Sequence, residues 1–185
     1  MKQRSSSFSI IEVIVAVALG VILMGSAYEL YYLATRTLAR SNSHFEIRQG
    51  ARIAMERISR DLRQSEEIIS DLPENIATPT AQIKFQDGHE TSKIQYIEYY
   101  VKDNALYRKY THFSFAYSTD QWVYWDTKDN NSQSPNETTD LDEIISENFV
   151  NLSIWGKSKI NISITVEQNQ QSETYTTTVL GRNIT

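Results

Sequence analysis

One residue near the start of this chain carries a chemistry that its neighbours lack. Residues 8–27 are apolar or small apart from Glu12, and these 20 residues are enough for a helix to cross a hydrocarbon layer of about 30 Å. A lone carboxylate inside such a helix costs on the order of 3 kcal/mol to insert, so it calls for a cationic partner and a purpose. Lys2 and Arg4 precede the run. A second group of carboxylates, Asp140, Asp142 and Glu143, could offer oxygens to Ca²⁺, a cation that takes about six to eight of them. They fall in residues 126–143, read here as a loop with six acids, one Lys and Pro135. EF-hand spacing is lacking, and a solvated acidic loop is the preferred reading. Before it, Trp122-Val123-Tyr124-Trp125 is either an aromatic patch for a sugar or protein partner, or a strand at the margin of a sheet. His44, His89 and His112 are scattered, and neither a Gly-x-Ser-x-Gly elbow nor a phosphate loop is present. The expectation is a non-enzyme with no catalytic residue, cofactor or established metal site.

The residues around Glu12 form a recognisable string. Ser7-Phe8-Ser9-Ile10-Ile11-Glu12-Val13, after a short basic leader and before an apolar helix, resembles the N-terminus of type IV pilins and type II secretion pseudopilins. The resemblance implies that a prepilin peptidase cuts between Ser7 and Phe8, N-methylates Phe8, and leaves Glu12 at the fifth mature position. There Glu12 would meet the N-terminal amine of a neighbouring subunit. Ser7 stands where the family usually has Gly, and Ser9 where Thr is more usual. Two other readings use the same residues. A secretory signal could be cut after Ala27, behind Gly25-Ser26, and a plain membrane anchor would need no filament.

Composition places a polar domain behind the apolar start. The 185 residues carry a net charge of -5, and mean hydropathy is -0.45. Residues 34–64 hold seven Arg against three acids, whereas residues 65–185 hold 9 Lys and Arg against 18 Asp and Glu, so a basic stem precedes an acidic head. That asymmetry suits docking between subunits and argues against nucleic acid as a partner. Cys is absent, which excludes a disulfide framework or thiolate metal site. Lys2 and Arg4 favour a cytoplasmic N-terminus, Arg36 and Arg40 nearly balance them, and a long polar C-terminal region can translocate whatever its charge.

The elements that must position these groups can be read from periodicity. A helix is expected over residues 9–70, roughly 90 Å at about 1.5 Å per residue. Tyr28, Tyr31 and Tyr32 supply an interfacial aromatic belt, and Gly20 and Gly25 are weak points. Beyond them Ile47, Ala51, Ala54, Ile58, Leu62 and Ile69 draw one apolar stripe, ended by Pro73 and Pro79. Within this stretch Glu56-Arg57-Ile58-Ser59-Arg60-Asp61-Leu62-Arg63-Gln64 is similar to a helix segment of J-type minor pseudopilins and W-type minor pilins, and is otherwise an amphipathic helix with an i,i+4 Glu56–Arg60 pair. Residues 93–101 and 106–110 read as a hairpin around Lys102-Asp103-Asn104-Ala105. Ile160, Ile162, Ile164 and Val166 pair with Tyr175, Thr177 and Val179 in a second one whose apolar side faces the helix. Gln82–Gln86 and Phe149–Trp155 are further strands, and Leu180-Gly181-Arg182-Asn183 is similar to the family's C-terminal signature.

The fold class expected is α+β, a long N-terminal helix packed on an antiparallel sheet. It divides into a leader (1–7), a transmembrane half-helix (8–33), an amphipathic half-helix (34–70) and a β-rich head (71–185). Two function classes follow. The first is a minor pilin or pseudopilin that initiates or caps a short filament. Its partners would be other pilin subunits, prepilin peptidase, an inner-membrane assembly platform and lipid, with the head extracytoplasmic. The second is a membrane-tethered extracytoplasmic binding module that does not enter a filament.

Overall fold

A computed structural model describes residues 9–89, 93–168 and 171–180. The chain divides into two units, Met1–Phe45 and Glu46–Thr185. Its single described helix, α1, runs from Ile10 to Gln64 without a break at Gly20 or Gly25. Eight strands follow: β1 (Gln82–Gln86), β2 (Tyr96–Lys102), β3 (Ala105–Phe115), β4 (Ser118–Val123), β5 (Asn136–Glu147), β6 (Phe149–Trp155), β7 (Ile160–Gln168) and β8 (Gln171–Val179).

From Ile10 to Ala27 α1 is apolar or small on all sides apart from Glu12. Ile10, Ile14, Val17, Val21 and Leu23 are all more than half exposed. Ile10–Leu38 is long and apolar enough to cross a membrane, and none of its most apolar window is buried within the protein. Its Ser and Thr hydroxyls bond back to the helix: Ser26 Oγ donates to the Ile22 carbonyl at 3.0 Å, Thr35 Oγ1 to that of Tyr32 at 2.9 Å and Thr37 Oγ1 to that of Leu33 at 2.8 Å. Such back-bonding suits a helix with no water beside it.

In the second unit the stripe read from the sequence is the buried face of α1. Ala51, Ala54, Ile58 and Leu62 are fully buried and join Ile83, Phe85, Ile97, Tyr99, Leu152, Ile162 and Ile164 in one core. Two antiparallel sheets supply the other side. The first has the order β1-β2-β3-β4, with β5 pairing the other side of β3; the second is β6-β7-β8. The β2–β3 hairpin turns on Asp103 and Asn104, both at positive φ (49° and 58°), the conformation that a two-residue turn between twisted strands requires. Ile160, Ile162, Ile164 and Val166 are buried on the core face of β7, as their alternation predicts.

Two expectations are corrected. The helix ends at Gln64, not near residue 70, because the sheet captures the chain first. Ser65 Oγ closes onto the Leu62 carbonyl at 2.8 Å, and Glu66 to Ser70 then bond the backbone of β1: Gln86 N–H to Glu67 O at 2.8 Å and Ile69 N–H to Lys84 O at 2.9 Å. Ile69 therefore leaves the stripe, and Ile68 takes up a bridge to Phe85. The second correction concerns residues 126–143, expected as a loop. From Asn136 they form β5, paired to β3 from Ser114 to Ala105 with two irregularities of register. Its acids face partners, not solvent alone, so no apolar alternation announces the strand.

Candidate functional site

Glu12 lies in the first turn of α1, and its surroundings explain both its position and its need. Ser9 caps the helix: its Oγ accepts from the Ile11 N–H at 3.3 Å, while Glu12 Oε2 accepts from the Ser9 N–H at 3.3 Å. This reciprocal pair is a capping box, which satisfies two amides that would otherwise be orphaned at a helix start. It fixes the carboxylate at the helix N-terminus, where negative charge is favoured. It does not neutralise it. Among the described residues no cation reaches Glu12, and Ile10, Ile11, Val13 and Ile14 around it are exposed apolar side chains. A carboxylate so placed can recruit an amine from another chain. Ser7 and Phe8, the expected cleavage and methylation positions, lie outside the described residues, as does the end of the expected C-terminal signature.

The second unit contains an ionic site that the sequence reading did not single out. Asp61 projects from the buried face of α1 and is 2% exposed. Its Oδ2 accepts from Tyr99 Oη and from Arg108 Nη2, each at 2.6 Å. Arg108 lies 4.4 Å from the Tyr110 ring centroid and 3.7 Å from Glu143, which in turn accepts from Arg57 Nη2 at 2.9 Å. One turn of helix is thus tied to β2, β3 and β5. Burial works against the Arg108 charge, but Tyr99 and Asp61 outweigh it and hold the guanidinium above its ordinary range. Burial, reinforced by Asp61, pushes the Tyr99 phenol well up, so it remains a donor. The signal was in the spacing: Asp61 stands three after Ile58 and seven after Ala54, on the apolar stripe. The expected Glu56–Arg60 pair is not formed among the described residues; Arg60 lies 3.8 Å from Asp61 instead.

The candidate calcium ligands do not converge. Asp140 is held by His112 at 2.8 Å and Gln95 at 3.2 Å, Asp142 by Tyr100 Oη at 2.8 Å, and Glu143 by the arginines. Among the described residues no group of three His, Cys, Asp or Glu side chains is placed to hold a metal ion. The aromatic string divides. Trp122 belongs to β4 and stacks on His112, centroids 4.4 Å apart and 12° from parallel, with Lys93 Nζ 5.5 Å above it. Tyr124 and Trp125 lie beyond the strand and are 48% and 39% exposed. The backbone of Trp125 donates to Tyr96 Oη, whose pKa burial pushes up to about 12.

An apolar helix that exposes itself on every side, with one capped carboxylate, followed by an antiparallel head, defines a pilin-like α+β protein with an N-terminal helix suited to membrane anchoring. Residues 2–28 match the family described as the prokaryotic N-terminal methylation motif, which supports a subunit of the type IV pilin or pseudopilin type. That motif implies processing by prepilin peptidase and assembly with other pilin subunits. No curated protein matches the chain.

Proposed function

We propose that this chain is a minor subunit, a J-type minor pseudopilin or a W-type minor pilin, that helps initiate or cap a type II secretion pseudopilus or type IV pilus. In this reading it enters the inner membrane with its head extracytoplasmic, and prepilin peptidase cuts between Ser7 and Phe8 and methylates Phe8. Its role is structural, not catalytic. The observation that carries the proposal is Glu12, a helix-capping carboxylate that meets no cation among the described residues, at the start of an apolar run whose side chains are exposed. A bundle of like helices supplies both missing parts: apolar neighbours for the helix, and the N-terminal amine of an adjacent subunit for the charge. The acid–Arg-x-x-Arg-Asp-Leu-Arg-Gln segment supports the minor-subunit assignment.

The test is co-purification of partner pilins from membranes, wild type against Glu12→Val. Loss of the acid saves on the order of 3 kcal/mol of insertion cost, so insertion is retained or improved. Recovery of partners falls, because the partner amine is left as an uncompensated charge in a low-dielectric bundle, at a cost of several kcal/mol. Equal recovery would remove Glu12 from assembly and favour a tethered module.

A further inference from the structure

Two of the sheet edges in the second unit, at β5 and at β8, are built differently. The edge at β5 carries Glu137, Asp140, Asp142, Glu143 and Glu147 and two register irregularities against β3, features that discourage edge-to-edge pairing. The edge at β8 has neither protection. It pairs with β7 in nine consecutive positions without a bulge, contains no Pro or Lys, and presents Ser172, Thr174, Thr176 and Thr178 to solvent. Its one charge, Glu173, is engaged by Arg48 through Nε and Nη2. Such an edge offers a row of backbone donors and acceptors to an incoming strand.

Beside it runs a trough of about 1000 Å³ between β8 and the second-unit part of α1. Met55 and Ser59 lie on its helix side among Arg52, Arg60, Arg63 and the exposed Glu56, and Tyr175 and Thr177 line it from the strand beside Glu173. Arg52 and Arg63 make no ion pair among the described residues. Arg60 is 63% exposed, and its 3.8 Å neighbour Asp61 is already committed to Arg108 and Tyr99. These arginines extend over about 16 Å of helix axis, the length of about five residues of strand.

We propose that this trough receives an extended acidic segment of another pilin-type subunit, added to β8 as a fourth strand with alternate carboxylates turned toward Arg52, Arg60 and Arg63. Main-chain bonds to β8 give the attachment, and the arginines select the charge. The occupant is a different subunit rather than a second copy: this chain's own acidic strand has its carboxylates tied to Lys84, His112, Tyr100 and Arg57. The inference names a contact within the assembly role proposed above and rests on that reading.

The experiment uses the full chain in detergent micelles and a fluorescein-labelled ten-residue peptide of alternating Glu and Thr, read by anisotropy. Three comparison peptides carry Lys for Glu, N-methyl groups on alternate backbone nitrogens, or the same acids on a helix-forming sequence. The expected result is that each comparison peptide binds at least tenfold more weakly than the first. Arg52→Ala with Arg63→Ala, both at exposed positions, should weaken the first peptide at least tenfold, while Lys128→Ala, outside the trough, leaves it unchanged. Equal binding of the N-methylated peptide would overturn strand addition, as would equal binding of the helical one. Equal binding by the arginine variant would overturn the location, and no binding of the first peptide would overturn the proposal. Self-association of the chain that the first peptide competes away would assign the trough to a second copy and overturn the choice of occupant. Co-purification of the same preparation with partner pilins keeps the two readings apart: partners recovered without peptide binding sinks the trough alone, whereas peptide binding without partners sinks the assembly reading.

Discussion

Asp61 occupies a place on α1 that pattern alone would assign to a Leu or Ala, and the reason is the cation across from it. Arg108 enters from β3 with its side chain 9% exposed, and Asp61 and Tyr99 complete its surroundings. A buried pair of this kind is weak support for stability when intact, but removing one member leaves the other charged and unpaired. Asp61→Ala should therefore lower the unfolding free energy of the second unit by about 3–5 kcal/mol in denaturant titration, and Asp61→Ala combined with Arg108→Met should recover part of that loss. A double variant as unstable as the sum of its single variants would show that the two side chains act independently. A pH signature belongs to Glu137. Burial alone would raise its pKa, but Lys84 Nζ, 2.7 Å away, outweighs that and holds it below its ordinary value of 4.5. The folded chain thus binds fewer protons than the unfolded one in this range. The contribution is complete above about pH 4.5 and is lost as pH falls through the lowered folded value. Glu137→Gln should flatten the stability profile between about pH 3 and 5, as followed by circular dichroism; an unchanged slope would contradict the assignment.

At the scale of elements, the end of α1 is the point where local preference and the sheet compete. The approach is close: a Cβ added to Gly88 would lie 2.0 Å from the Gln64 carbonyl oxygen. Gly88→Ala should destabilise by about 1–3 kcal/mol, as overpacking does, rather than bring the small gain of a tolerated Gly→Ala change. A thermal midpoint at or above wild type would show that residues 87–89 part from the helix end without cost. The same competition marks what could be read beforehand. The strands Gln82–Gln86 and Phe149–Trp155, the two hairpins and the apolar stripe were all legible, because each buries one face and writes that in period 2 or 3.6. The helix end was not legible, since Ile69 continues the period while its backbone belongs to β1. Nor was β5, whose acids Glu137, Asp140, Asp142 and Glu143 are satisfied by Lys84, His112, Tyr100 and Arg57 contributed from four other elements or loops of the fold.

Over the whole molecule the two units solve opposite problems. In Glu46–Thr185 the apolar side chains mostly meet in one core, and charge is concentrated at the surface. In the described part of Met1–Phe45 the large apolar side chains are exposed, a surface suited to lipid or to other helices. Glu12 was legible as a site because a lone acid breaks an otherwise uniform run. Asp61 was not singled out, because an acid among seven arginines draws attention to surface charge before burial. The central claim, that this chain is a processed subunit of a pilin-type assembly, turns on its first residues. Intact-mass analysis of the chain recovered from membranes with an active prepilin peptidase tests it most directly. The account predicts loss of the seven residues before Phe8 and one added methyl group on the new N-terminus. A full-length chain, or one cut after Ala27, would contradict it.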